Sequence, residues 1–150
     1  VRLSDVDRPL KKRGRRDALV MGQRLAEREA CPDAVFTSPA KRALMTAKLM
    51  AEKLGFPLAD IQVSRKIYGA DDNDLLDIIR SLCDDFDRVM LVGHNPELTI
   101  LASRLIPLKL EKLPTCGIVQ ISYAIDHWTQ VGSTEATRSY LDYPKKPKLE

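Results

Sequence analysis

The chain has 150 residues, 44% of them hydrophobic and 30% charged, with a formal net charge of +3. That length and balance fit an ordinary soluble globular domain with a core of its own. No apolar run approaches the roughly 20 residues a membrane-spanning helix needs, residues 1–16 are charged and unlike a signal peptide, and so small a net charge does not mark a dedicated nucleic-acid binder, so a cytoplasmic protein is expected, with neither membrane nor nucleic acid as partner.

Residues 1–14, polar and holding Pro9 and Gly14, read as a loop. Ala18, Met21, Leu25 and Ala26 then recur at helical spacing until Pro32 interrupts them. Residues 34–37 read as a short buried strand. Ser38-Pro39 predicts a helix start, a capping hydroxyl followed by proline at the first helical position. Ala43, Ala47, Met50 and Leu54 share one face of that helix, and Gly55 is placed as its C-terminal cap. Residues 61–63 suggest another strand. Leu75, Leu76, Ile79, Leu82 and Phe86 predict an amphipathic helix over 73–86.

Val89-Met90-Leu91-Val92 is an unbroken apolar run ending at Gly93, which suits a strand buried on both faces in a parallel sheet. Pro96 opens a short helix through Leu105. A strand over 117–124, a turn at Asp126-His127 and a strand over 128–131 complete the expected elements. Strands alternating with helices make this α/β: a single-domain, mostly parallel sheet flanked by helices. The domain is expected to span 1–143, with 144–150 a flexible tail ending in a Leu-Glu pair that resembles a cloning remnant. Cys31, Cys83 and Cys116, odd in number and widely spaced, read as reduced, partly buried thiols.

Two strand-to-helix junctions stand out, Ser38-Pro39-Ala40-Lys41-Arg42-Ala43 and Gly93-His94-Asn95-Pro96. In open α/β sheets ligands bind beyond the carboxyl ends of the strands, where helix N-termini offer free N–H groups to anions. Arg42 sits in the first turn of its helix, so its guanidinium can lean back toward the crevice, and a planar fork of donors suits a phosphoryl group. The bland alternative is a surface arginine paired with a neighbouring acid. His94 reads as a phosphate-contacting or proton-handling imidazole, or as a histidine satisfied by local hydrogen bonds. His127, in a turn beside Trp128, reads as structural. Two distant histidines and no paired cysteines offer no metal cluster.

The first junction, continuing to Thr46-Ala47, resembles the segment that supplies a phosphate-binding arginine in the histidine phosphatase superfamily. Gly93-His94-Asn95-Pro96 resembles the segment that supplies the second active-site histidine of that superfamily. Asp7-Arg8-Pro9-Leu10 with Arg13-Gly14, Ile67-Tyr68 with Ala70, and Pro114-Thr115-Cys116-Gly117 are similar to the SixA-type phosphohistidine phosphatases. The likeness runs in order along nearly the whole chain. It implies a phosphoglycerate-mutase-like fold, no cofactor, and hydrolysis of a phosphorylated protein (phosphohistidine) or a small phosphoester through a covalent phosphohistidine. His94 and Arg42 take catalytic roles in this reading, and Ser38, Asn95, Arg8 and Thr115 contact phosphate or substrate. Asp71 or Asp72 would supply an acid, or one of them caps the helix near Asn73. SixA-type enzymes generally do without that acid, because imidazole leaves more readily than an alkoxide.

One part of the family pattern is missing. The Arg-His pair of the first strand should precede Asp7-Arg8-Pro9-Leu10, and Arg2 is not followed by histidine. An empty strand slot would leave unpaired backbone groups and apolar faces. The native protein is therefore expected to carry upstream residues with that strand and the attacking histidine, and the 150 residues alone are expected to be inactive. The alternative is a phosphate- or phosphoprotein-binding module without catalysis. Lys11, Lys12, Arg13, Arg15 and Arg16 motivate a nucleic-acid-binding rival, a docking patch for an acidic phosphoprotein or a solvated basic face. Aromatic residues at 5% leave few stacking platforms for single strands. No glycine-rich phosphate loop is present, and Cys116 lacks the nearby arginine a thiol phosphatase would need.

Overall fold

The computed structural model describes residues 4–108 and 111–146. They form two compact units, one from residues 4–69 with Asp85–His94, the other from Ala70–Asp84 with the described residues from Asn95 on. Each unit is assembled from separate stretches of chain, so no linker marks the division.

The first unit holds helix α1 (Lys12–Glu27), strand β1 (Ala34–Thr37), helix α2 (Lys41–Leu54) and strands β2 (Gln62–Val63) and β3 (Val89–Val92). The strands form a parallel sheet in the order β2-β1-β3, with Val35 opposite Met90 and Thr37 opposite Val92. Val35 is fully buried among Ala47, Ala51 and Phe56, with Met90 and Val92 packed on the same cluster. Side chains two apart share a face of a strand, so this face of the sheet is covered by α2.

Gly22 lets α1 press against α2, since a Cβ there would lie 2.9 Å from the Met50 Cα. Gly55 caps α2 at φ 72°, as its position predicts. At the start of β3, the Asp33 carboxylate accepts from the Asp87 and Arg88 amides at 2.8 and 3.0 Å. A cleft of about 390 Å³ between Phe56, Ile61 and Phe86 lies at this amino end of the strands and includes none of the predicted site residues.

The second unit contains helices α3 (Asp72–Arg80) and α4 (Glu97–Leu105) and an antiparallel pair, β4 (Ile118–Ser122) with β5 (Arg138–Asp142). Pro96 begins α4 as expected.

Several expectations are corrected. The loop gives way to helix at Lys12, and Gly14 lies in its first turn under Leu10. Ser38 is not the cap of α2: the helix begins after Ala40, and the Ser38 hydroxyl accepts from the Ala40 amide two residues too early. The helix expected over 73–86 ends at Arg80, where the Ser81 hydroxyl takes the Ile78 carbonyl, so Leu82 and Phe86 match the period without being helical. β3 is half-buried at all four positions, because it pairs on one edge only among the described residues.

The strand expected over 128–131 is a 3-10 turn at Trp128–Gln130, and the partner of β4 is instead β5, which sequence reasoning missed. Cys31 and Cys83 are exposed, and only Cys116 is half-buried. In the segment expected as a flexible tail, the Lys146 ammonium donates to the Leu141 carbonyl and lies 4.9 Å from the Tyr140 ring centre. The remainder of that tail, 147–150, is outside the described residues.

Candidate active site

Parallel pairing of β1 with β3 carries both junctions to the carboxyl end of one sheet. The ladder continues one step beyond the strands, where the Ser38 amide donates to the Val92 carbonyl at 3.0 Å. Ser38 is thereby fully buried and fixed beside the chain that leads to His94 two residues later. Its hydroxyl lies 2.7 Å from His94 Nε2.

Arg42 is the second residue of α2, and its guanidinium reaches back to His94, with Nη2 at 3.3 Å from Nδ1. A guanidinium can only donate. His94 Nδ1 is therefore the acceptor, and in the neutral ring the proton sits on Nε2, facing Ser38. One tautomer satisfies both neighbours.

Asp5 completes the cluster. Its carboxylate meets Arg42 through Oδ1–Nη1 at 3.2 Å and Oδ2–Nη2 at 3.3 Å, while its backbone carbonyl accepts from Nη1 at 2.9 Å. Tyr68 donates its hydroxyl to Asp5 Oδ2 at 2.6 Å and stands edge-on to the His94 ring, centroids 5.4 Å apart. The Tyr68 hydroxyl bond, followed by the Arg42 guanidinium, holds the Asp5 carboxyl below its ordinary range, and the same bond pushes the Tyr68 hydroxyl up. The Asp5 side chain is 55% exposed against 32% for Arg42, so the cluster opens to solvent.

The structure thus brings Ser38, Arg42 and His94 together. Arg8 is exposed; its backbone amide donates to the Asp5 carbonyl at 3.3 Å, and its side chain bears on Asp5 through its charge. The other predicted site residues lie in the second unit. Asn95 donates to the Leu113 carbonyl at 3.1 Å and accepts from Thr99. Thr115 is exposed in a turn closed by the Gly117 amide on the Pro114 carbonyl at 2.8 Å. Asp71 caps α3 in a reciprocal pair with Asp74, and Asp72 instead pairs with Arg104 at 2.7 Å.

Sequence reasoning missed Asp5 and gave Tyr68 no role. The signals were that Tyr68 stands in the Ile67-Tyr68 motif and that Asp5 lies two residues before Asp7-Arg8-Pro9-Leu10. Among the described residues, no group of three or more His, Cys, Asp or Glu side chains is placed to hold a metal ion. No described helix is long and apolar enough to cross a membrane.

Residues 3–67, which carry Asp5 and Arg42, match the family described as histidine phosphatase superfamily (branch 1). An uncharacterised protein of Mycobacterium tuberculosis is 31% identical over 139 residues, covering 86% of this chain and 84% of that one. The chain belongs to the histidine phosphatase superfamily. Among superfamily structures, a SixA from Agrobacterium tumefaciens is 27% identical, with a TM-score of 0.70 over 77% of each chain. The protein histidine phosphatase SixA complexed with tungstate shares the fold at a TM-score of 0.79 and 20% identity, over 96% of this chain and 89% of that one. Against these superfamily relatives the α/β sheet, with parallel β1, β2 and β3, is SixA-like.

Proposed function

We propose that the protein is a metal-independent phosphatase that hydrolyses phosphohistidine, or a small phosphoester, through a covalent phosphohistidine intermediate. The observation that carries this reading is the convergence of Arg42 and Ser38 on the His94 ring, Nη2 at 3.3 Å from Nδ1 and the hydroxyl at 2.7 Å from Nε2, at the carboxyl end of a parallel sheet. A guanidinium fork and an imidazole held there can stabilise the equatorial oxygens of a transferring phosphoryl group. That a relative's structure holds tungstate, a tetrahedral oxyanion like phosphate, supports the same substrate chemistry.

His94 is not the attacking group in this scheme. Both of its ring nitrogens face partners, Nδ1 toward Arg42 and Nε2 toward Ser38, so its one available lone pair, on Nδ1, is turned to Arg42 and not to phosphorus. The nucleophile is a second imidazole on a strand outside this sequence, which would add to the edge of β3 that is unpaired among the described residues. It attacks phosphorus as the P–N or P–O bond breaks, and water then cleaves the phosphoenzyme.

A second reading, a phosphate- or phosphoprotein-binding module, draws on the same fact. The described cluster contains an anion-gripping fork and no uncommitted imidazole. In this reading the module keeps Arg42, His94 and the helix N-termini and lacks the attacking imidazole.

The test is turnover of a phosphohistidine protein, a phosphoserine peptide and a sugar phosphate by the intact protein. Arg42→Ala and His94→Ala should each lower kcat/KM by at least about 100-fold, as loss of a transition-state donor does. Unchanged rates in both variants would remove the site assignment. The 150-residue chain alone should bind tungstate without turnover; turnover by that verified chain would refute the missing-nucleophile scheme.

A further inference from the structure

The terminal donors of Arg42 are already spoken for. A guanidinium carries two hydrogens on each Nη and one on Nε. Nη1 serves the Asp5 carbonyl at 2.9 Å and Asp5 Oδ1 at 3.2 Å, and Nη2 serves Asp5 Oδ2 and His94 Nδ1, each at 3.3 Å. A phosphoryl group bound bidentately would need this same fork. The two oxygens of a carboxylate present nearly the same planar pair of acceptors, and Tyr68 supplies one more donor to them at 2.6 Å.

We infer that Asp5 is a built-in competitor for the phosphoryl seat: its carboxylate holds the Arg42 fork in the resting protein and swings out when a phosphoryl group enters. This rests on the proposed phosphate-binding role of Arg42. The swing needs only side-chain rotation. The turn that carries Asp5 is closed by the Asp7 amide on the Ser4 carbonyl, the Arg8 amide on the Asp5 carbonyl and the Ser4 hydroxyl on Asp7, and none of these bonds uses the Asp5 carboxylate. The side chain is more than half exposed, so its alternative position is water.

A competitor must be displaced before any oxyanion binds, so it weakens all of them by one common factor. Asp5→Ala should tighten tungstate binding to the intact protein by about three- to ten-fold, the scale of a partly exposed charge-assisted pair. Asp5→Asn, which keeps the shape and loses the charge, should tighten it less. Arg42→Ala should abolish the binding with either residue at position 5, placing the effect at this fork. In the wild type, saturating tungstate should raise the Asp5 carboxyl pKa, followed by carbon-13 NMR, because the departing side chain leaves Tyr68 and Arg42 behind.

Arg42-dependent binding that is unchanged or weaker in both Asp5 variants overturns the competitor and makes Asp5 a residue that aims the fork, while leaving the proposed function standing. Absence of Arg42-dependent binding in the wild type and in both Asp5 variants overturns the site reading and the competitor together. Arg42-dependent binding that emerges only in the Asp5 variants supports both.

Discussion

β1 and β3 lie side by side in one parallel sheet, each four residues long and dominated by apolar side chains, yet they are buried to different degrees. β1 has a hydrogen-bonded neighbour on both edges and is fully buried at Ala34, Val35 and Thr37. β3 has one neighbour among the described residues and is half-buried throughout, although its Val-Met-Leu-Val is the more apolar of the two. An apolar run records what a strand is able to bury. What covers it depends on a partner brought from elsewhere in sequence.

This difference can be measured. Val35→Ala removes two methyl groups from a site with no room to collapse and should cost about 2–3 kcal/mol, counting transfer and cavity together, measured by urea unfolding. Asp33→Ala frees the Asp87 and Arg88 amides that tie the start of β3 to the turn before β1; about 1–2 kcal/mol should be lost, with faster hydrogen exchange at those two amides and little change in β2. Val92→Ala, on the half-covered strand, should cost about 1 kcal/mol in the 150-residue chain, and more in a longer form where another strand lies against β3. Equal losses at Val35 and Val92 would erase the contrast between the two strands.

The smallest effect lies in the second unit, at an exposed pair that no packing supports. His127 Nδ1 is 2.9 Å from Asp84, and the Trp128 amide donates to the other carboxylate oxygen. The hydrogen bond to Asp84 raises the His127 pKa above 6.5, whereas the Trp128 amide and then His127 lower that of Asp84 below 3.8. A raised histidine stabilises the fold fully below its unfolded value and stops doing so as pH climbs through the folded one. A lowered carboxyl contributes above its unfolded value and fades as pH falls through the folded one. The pair therefore contributes most between these limits. His127→Gln should lower Tm more at about pH 5.5 than at about pH 9; an equal shift at both would show that the pair carries no charge-dependent stability.

Much of the first unit was legible because its signals are local. The alternating demands of sheet and helix mark β1, α2 and β3, Gly55 states where α2 stops, and the spacing from Ser38 to Arg42 and from Gly93 to His94 marks both junctions. The illegible parts depend on distant partners. Asp5 meets Arg42 across 37 positions and Tyr68 across 63, so its place beside a family motif does not name either partner. β5 carries Arg138, Ser139 and Tyr140 on exposed positions and has no apolar alternation to identify it as a strand. The overextended α3 failed in the opposite way: Leu82 and Phe86 keep the helical period after Ser81 has taken the last carbonyls.

The brevity of β2 has a consequence for how the 150-residue chain behaves when crowded. Among the described residues, only Gln62 and Val63 offer ladder groups on that rim, too few to template an intruding chain. In the 150-residue chain, association by strand addition is thereby directed to the opposite rim of the described sheet, where four consecutive apolar residues present a longer stretch of backbone. Aggregation of the 150-residue chain should accordingly be suppressed by a lysine at position 89 or 91 and be indifferent to one at position 63.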